Sequence, residues 1–244
     1  MTIKLQMDVD VIGEAGYYEA MFGMGLSFGL TSGMSFKEFS ESSSIEDQEK
    51  RKRMSRVLEA NAPKDGGHNK FLESIQLWLD ISAPRYWWSE FDTYRVGTSK
   101  QSASTMHTLV KQMNSLLSDA NALLGISTRF QPTCGYEKVK EYYIEHFEHT
   151  SDEAHLSDAV FEFARKISKM NKIACPIEQL VFVKGVLTEN YLQRRIVSTN
   201  YKTLRSVILQ RRGHRLPHWE MFVKDILAQV EHPELLPNEN IQGE

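Results

Sequence analysis

The sequence predicts an α+β fold, and three observations carry that expectation. Three short segments alternate apolar and polar residues at a period of two, longer segments repeat apolar residues at helical spacing, and Pro and Gly punctuate the joins. Helices interleaved with a few antiparallel-looking strands argue for a small antiparallel or mixed sheet packed with helices.

The first strand is expected over 3–11, where Ile3, Leu5, Met7, Val9 and Val11 share one face. The second covers 75–81, with Ile75, Leu77, Leu79 and Ile81 alternating against Gln76, Trp78 and Asp80. The third lies within 191–199, around the β-branched pair Ile196 and Val197. Between them, 46–61 carries mixed charges with an apolar stripe. The 84–95 segment opens on Pro84 with Ser82 as a cap, and 104–124 ends at Gly125. In that last helix Met106, Leu109, Val110, Met113, Leu116, Leu117 and Ala120 mark the buried face. Further helices are expected at 136–148, 152–171 and 176–187, then a closing pair, 199–212 and 217–230, parted by Gly213. The serine-rich stretch 31–45 reads as a loop, either an ordinary surface loop or a mobile cover for a site, and Lys64 to Gly67 as a tight link.

Composition narrows the function classes. The chain has 244 residues, 41% hydrophobic and 25% charged, with a formal net charge of −3. No global positive field invites direct nucleic-acid binding. The two cysteines, Cys134 and Cys175, lie far apart with no CxxC spacing and no obvious activating partner, which fits a reduced, cytoplasmic chain with inert thiols. The N-terminus alternates instead of forming an apolar block, so no signal peptide is expected, and no apolar run is long enough to cross a membrane. His146 and His149 are expected to share a helix face, but nothing in the spacing fixes a ligand set, and no metal site is expected. His214 and His218 are four apart with Pro217 between them, which disfavours a helical ligand pair. Arg194, Arg195, Arg205, Arg211, Arg212 and Arg215 concentrate positive charge, either as a solvated face or as an anion site. Tyr86, Trp87, Trp88, Phe91 and Tyr94 form an aromatic cluster suited to packing or to an interface.

Two blocks carry a resemblance to a known family. The first, 68–95, reads HNKFLESIQLWLDISAPRYWWSEFDTYR, and the second, 199–226, reads TNYKTLRSVILQRRGHRLPHWEMFVKDI. Together they resemble the core and closing helix pair of the flavin-dependent thymidylate synthases. His68, Glu73, Ala83 and Pro84 fall at matching intervals, and Thr93-Tyr94-Arg95 stands where that family carries Arg-His-Arg. Asn200, Arg211, Trp219 and Glu220 match the closing block, with one extra residue in the turn.

The resemblance implies a single such domain over 1–244, with a helical insertion around 126–187. It implies transfer of a one-carbon unit from methylenetetrahydrofolate to a pyrimidine deoxynucleotide, dUMP or a relative, with FAD and NADPH completing the reduction. It further implies a homotetramer. By the same resemblance His68, Arg95, Gln101, Asn200 and Lys202 would bind cofactor, and Ser102, Ser104 and Arg211 would bind substrate. Arg211 would also act in catalysis, polarising the pyrimidine ring as negative charge develops on it. Several positions depart from the family pattern. Thr98 stands for a serine and Gln101 for a glutamate, and Ala103 falls at a nucleotide-contacting serine. Lys202 sits near an arginine position, and Thr105 replaces an arginine that would clamp phosphate in bidentate fashion. Those departures leave a second reading open: a catalytically degenerate nucleotide- or protein-binding protein on the same scaffold.

Overall fold

In the computed structural model, residues 3–65, 67–125 and 132–237 are described, the side chains of 106, 107 and 132–134 excepted. The elements in chain order begin with β1 (Ile3–Lys4), β2 (Asp8–Ala15), α1 (Tyr17–Ser27), α2 (Phe36–Glu41) and α3 (Ile45–Asn61). Next come β3 (Gln76–Pro84), α4 (Arg85–Phe91), β4 (Ser99–Ser102), α5 (Thr105–Leu123) and α6 (Pro132–His146). The chain closes with β5 (His149–Thr150), α7 (Glu153–Ser168), α8 (Pro176–Val186), β6 (Leu192–Asn200), α9 (Tyr201–Arg211) and α10 (His218–Gln229). The strands form two small sheets, one pairing β1 with β5 and one of order β2-β3-β6-β4, so the α+β expectation holds.

Two compact units divide the chain. The first takes Met1–Met7, Ser82–Phe91 and Ser102–Arg195, and the second takes Asp8–Ile81, Asp92–Gln101 and Ile196–Glu244. The first unit is a helical assembly in which α5, α6, α7 and α8 pack around Leu109, Met113, Val139, Val160, Ala164 and Val183, all fully buried. The apolar stripe of α5 is the cause: Leu109, Met113, Leu116 and Ala120 recur every three or four residues and turn inward together. Gly125 ends the segment at φ 68, a left-handed conformation that a side chain would resist. Trp87 and Trp88 are also fully buried, and Trp87 stacks on Phe91, so these indoles serve packing within the chain instead of an interface.

The second unit holds most of the four-stranded sheet. In β3, Leu77, Leu79 and Ile81 are fully buried while Trp78 is 39% exposed, the period-two pattern the sequence predicts. Each such buried aliphatic side chain contributes about 1.5–3 kcal/mol. Helix α10 packs on β2, and α9 on the 3-10 turn Lys70–Glu73. Because β2 is an edge strand, its polar backbone needs partners. The Gln229 side chain supplies two: its Nε2 donates to the Val9 carbonyl at 2.6 Å and its Oε1 accepts from the Val11 N–H at 3.0 Å.

Several expectations need correction. The segment 3–11 is two strands in two sheets, interrupted at Leu5 to Met7. Ser82 lies inside β3, and α4 starts only at Arg85 and stops at Phe91, leaving Thr93 to Arg95 in the turn that follows. The stretch 31–45 is not all loop: α2 lies within it, opened by a reciprocal capping box between Ser35 and Glu38. Cys175 is an exposed free thiol, while the Cys134 side chain lies outside the described residues. Helix α6 ends at His146 and His149 belongs to β5, so the two histidines share no helix face.

Candidate functional site

The strongest constellation of the second unit gathers at the C-terminal end of α9. Asn200 starts that helix, its Oδ1 accepting from the Thr203 N–H at 2.9 Å, and Arg211 is its last residue. The Arg211 Nε donates to the Tyr94 hydroxyl at 2.8 Å. Its guanidinium carbon lies 4.4 Å from the Trp219 ring centroid and 5.4 Å from that of Tyr94, within cation–π range of both. Trp219 is fully buried, so one face of the guanidinium rests on a fixed surface. His214 adds a further contact: its Nε2 lies 3.0 Å from Arg211 Nη1, and its Nδ1 lies 3.1 Å from the Leu216 N–H. Both neighbours are donors. A neutral imidazole has one acceptor nitrogen, so only one of the two contacts is a hydrogen bond at a time.

Arg211, Arg212, His214, Trp219 and Glu220 line a cavity of about 330 Å³. A second cavity, of about 640 Å³, is lined by Glu73, Tyr94, Arg95, Gly97, Asn200 and Lys202, among others. Tyr94 lines the second cavity, and its hydroxyl reaches Arg211, a wall of the first. The turn that carries Tyr94 and Arg95 is tied down in turn. The Thr98 hydroxyl and the Lys100 ammonium both donate to the Tyr94 carbonyl, at 2.5 Å and 3.1 Å, and Lys100 lies 3.3 Å from the Asp92 carboxylate.

Of the residues the sequence singles out, Arg95, Asn200 and Lys202 share the larger cavity. Arg95 is exposed and makes no hydrogen bond or ion pair among the described residues. Lys202 donates to Glu73 at 2.8 Å. His68 is exposed and lines a different cavity, of about 440 Å³, together with Glu19, Asn61, Lys70 and Ser74. Gln101 and Ser102 are exposed in β4, and Ser104 precedes α5, its carbonyl accepting from the Thr108 hydroxyl at 2.7 Å. Of the six arginines, Arg195 stacks over Trp88 at 4.3 Å in the first unit, and Arg205, Arg211, Arg212 and Arg215 belong to the second. Burial holds the Arg205 guanidinium somewhat below its usual pKa, with Asp65 opposing and Arg212 adding to the shift.

Sequence reasoning missed two participants. Tyr94 is readable as part of an aromatic cluster and as the middle of the triplet standing for Arg-His-Arg, neither of which points to Arg211, and His214 only as half of an unconvincing metal pair. It also missed a polar knot in the second unit. There the Tyr201 hydroxyl donates to Glu14 Oε1 and accepts from the His232 N–H at 3.2 Å. Burial, then the Glu14 carboxylate, push the Tyr201 phenol well above the ordinary range. His232 stacks on Tyr17 at 3.4 Å. Among the described residues, Glu14, Glu231 and His232 bring ligand-type atoms within 4.8 Å of one another. None of the described helices is long and apolar enough to cross a membrane.

No protein-family model matches the sequence, and no curated protein matches it. Solved structures do. A flavin-dependent thymidylate synthase, ThyX, from Helicobacter pylori complexed with FAD and dUMP superposes with a TM-score of 0.66. The match covers 94% of this chain and 97% of that one at 15% sequence identity. A second structure, thymidylate synthase X from Helicobacter pylori with FAD and dUMP, gives the same TM-score and coverage at 16% identity. The fold is therefore that of the flavin-dependent thymidylate synthases, as the two resembling blocks imply.

Proposed function

We propose that the chain is a flavin-dependent thymidylate synthase-like enzyme, moving a one-carbon unit from methylenetetrahydrofolate to dUMP or a closely related pyrimidine deoxynucleotide. The observation that carries this reading is the seating of Arg211. A permanently charged, planar donor is fixed by Tyr94 and Trp219 at the wall of a cavity, in a chain whose fold matches proteins solved with FAD and dUMP. Such a group stabilises negative charge that develops on a pyrimidine carbonyl, and a prepositioned donor reorganises little as that charge appears.

The larger cavity suits an anionic cofactor. Arg95 and Lys202 supply cationic donors, and the Asn200 amide, whose oxygen is committed to the helix cap, keeps its N–H₂ donors. In this reading Arg95, Asn200 and Lys202 hold FAD phosphates, with His68 and Gln101 completing the cofactor contacts, and Ser102 and Ser104 serve the nucleotide. Bound FAD would supply the redox chemistry that side chains lack, with NADPH as reductant. Arg211 orients the base. A cytoplasmic homotetramer belongs to the same reading, and the free thiol of Cys175 agrees with a reducing compartment.

A second reading, a nucleotide- or protein-binding protein without turnover, is favoured by two features. Lys202 is engaged by Glu73, and Thr105 stands where a phosphate-clamping arginine is expected. The deciding experiment is the visible spectrum of the purified protein after FAD is added and the excess removed. A thymidylate assay with dUMP, methylenetetrahydrofolate and NADPH then follows. Retained flavin bands with product support the enzyme. Nucleotide binding by a protein that retains no flavin and forms no product supports the second reading.

A further inference from the structure

We infer that Tyr94 is the positioning residue for Arg211, setting the plane of its guanidinium through the phenol oxygen. The inference rests on the reading of Arg211 proposed above. Two residues far apart in the chain, Tyr94 at the turn after α4 and Arg211 at the end of α9, meet through one directional contact, Nε to Oη at 2.8 Å. The guanidinium is a rigid planar fork, so a directional contact at its Nε–H restrains the orientation of the whole group.

Tyr94 is itself held from several directions. Its carbonyl accepts from Thr98 and from Lys100, and its ring packs edge-on against Trp219, with centroids 6.2 Å apart at 75°. The hydroxyl therefore approaches Arg211 from an anchored support, as precise placement of a functional side chain demands. His214 is the weaker anchor. Its two ring nitrogens face two donors, Arg211 Nη1 and the Leu216 N–H, and neutral imidazole can satisfy only one. A phenol oxygen keeps acceptor capacity under all conditions in which the fold persists. Tyr94 also borders the cavity that holds Arg95, Asn200 and Lys202, so one side chain sets the orientation of Arg211 while forming part of the neighbouring wall.

The test compares wild type, Tyr94→Phe and Tyr94→Gln in the full-length, FAD-loaded protein. Phe keeps the ring packing and removes the acceptor, while Gln restores an acceptor without the ring. The first readout is the arginine Nε–H signal in a nitrogen-correlated NMR spectrum, assigned to Arg211 by its loss in Arg211→Lys. A slowly exchanging wild-type signal that exchanges rapidly in Tyr94→Phe, and partly recovers in Tyr94→Gln, is expected. The second readout is kinetic: kcat for thymidylate formation should fall about ten- to a hundredfold in Tyr94→Phe, with KM for dUMP within about twofold. A purely structural role would change thermal stability without this split. An Arg211 signal unaffected by Tyr94→Phe overturns the inference, as does an unchanged kcat once the signal is lost. A wild type that forms no thymidylate sinks the functional reading instead, and the NMR readout still decides whether Tyr94 fixes Arg211. Should Tyr94→Phe fail to fold, Tyr94→Gln carries both readouts: a protected Nε–H signal with kcat well above that of Arg211→Lys supports the inference, and a rapidly exchanging signal with wild-type kcat overturns it.

Discussion

The Lys202 ammonium donates to the Glu73 carboxylate at 2.8 Å, and both residues line the cavity that Arg95 and Asn200 also line. Both side chains are substantially exposed, at 34% and 58%, so the pair adds little to stability. Its effect is on charge: Glu73 places a carboxylate beside the cation that the proposed function assigns to cofactor phosphates. Glu73→Gln is expected to leave unfolding free energy within about 0.5 kcal/mol of wild type and to tighten FAD binding about three- to tenfold at low salt. Titration calorimetry with FAD measures the second effect. Unchanged or weaker affinity would remove Lys202 from the cofactor contacts.

Gly97 makes the turn around Tyr94 and Arg95 possible. Its φ is 71°, and a Cβ there would lie 2.1 Å from Thr203 Oγ1 and 3.2 Å from Asn200 Nδ2. The Gly97 carbonyl accepts from the Thr199 hydroxyl at 3.0 Å, so the turn sits directly on the start of α9. Gly97→Ala should cost about 1–2 kcal/mol from left-handed backbone strain alone, and more from the contact with the stiff, β-branched Thr203. Denaturant unfolding of Gly97→Ala, Thr203→Ala and the double variant separates these two costs. The double variant should regain the steric part and keep the strain. Simple additivity of the two single changes would contradict this account.

What the sequence made legible, and what it did not, follows from the range of the forces involved. The stripe of α5 and the alternation of β3 are local, so each emerges from its own period. Helix α1 escaped notice because Gly23 and Gly25 weaken it and Tyr17, Met21 and Phe22 sit among other apolar residues, which blurs the periodicity. Helix α2 was hidden by serine-rich composition, although Ser35 followed three residues later by Glu38 was a readable capping signal. Alternation continues across Leu5 to Met7 while the pairing partner changes, so the local period carries no sign of the break between β1 and β2. At the site, Arg95, Asn200 and Lys202 are legible only through resemblance, and Arg211 through resemblance and as one of six clustered arginines. The Tyr94–Arg211 contact spans 117 positions, and nothing in either local sequence announces it. Long-range side-chain pairing is set by tertiary packing, which no local period encodes.

Asp225 gives a pH-dependent prediction whose sign can be worked through. Burial raises its carboxyl pKa first, Lys224 opposes that shift, and the carboxylates of Asp8 and Asp10 add to it. A carboxyl with a folded pKa above its unfolded value binds its proton more tightly in the native state. Its stabilising contribution is therefore fully present below the unfolded pKa and lost as pH rises through the folded pKa. At neutral pH the ionised side chain opposes folding, so Asp225→Asn should raise the melting temperature near pH 7. That gain should shrink as pH falls to about 3.5, where the wild-type carboxyl is itself protonated. Added salt should also reduce the gain at neutral pH, because it screens the repulsion from Asp8 and Asp10 but leaves the burial cost in place. Melting curves of both proteins at the two pH values, at low and high salt, measure each part. An Asn variant no more stable than wild type near pH 7, or equally stabilised at both pH values, would show that ionisation of Asp225 carries no folding penalty.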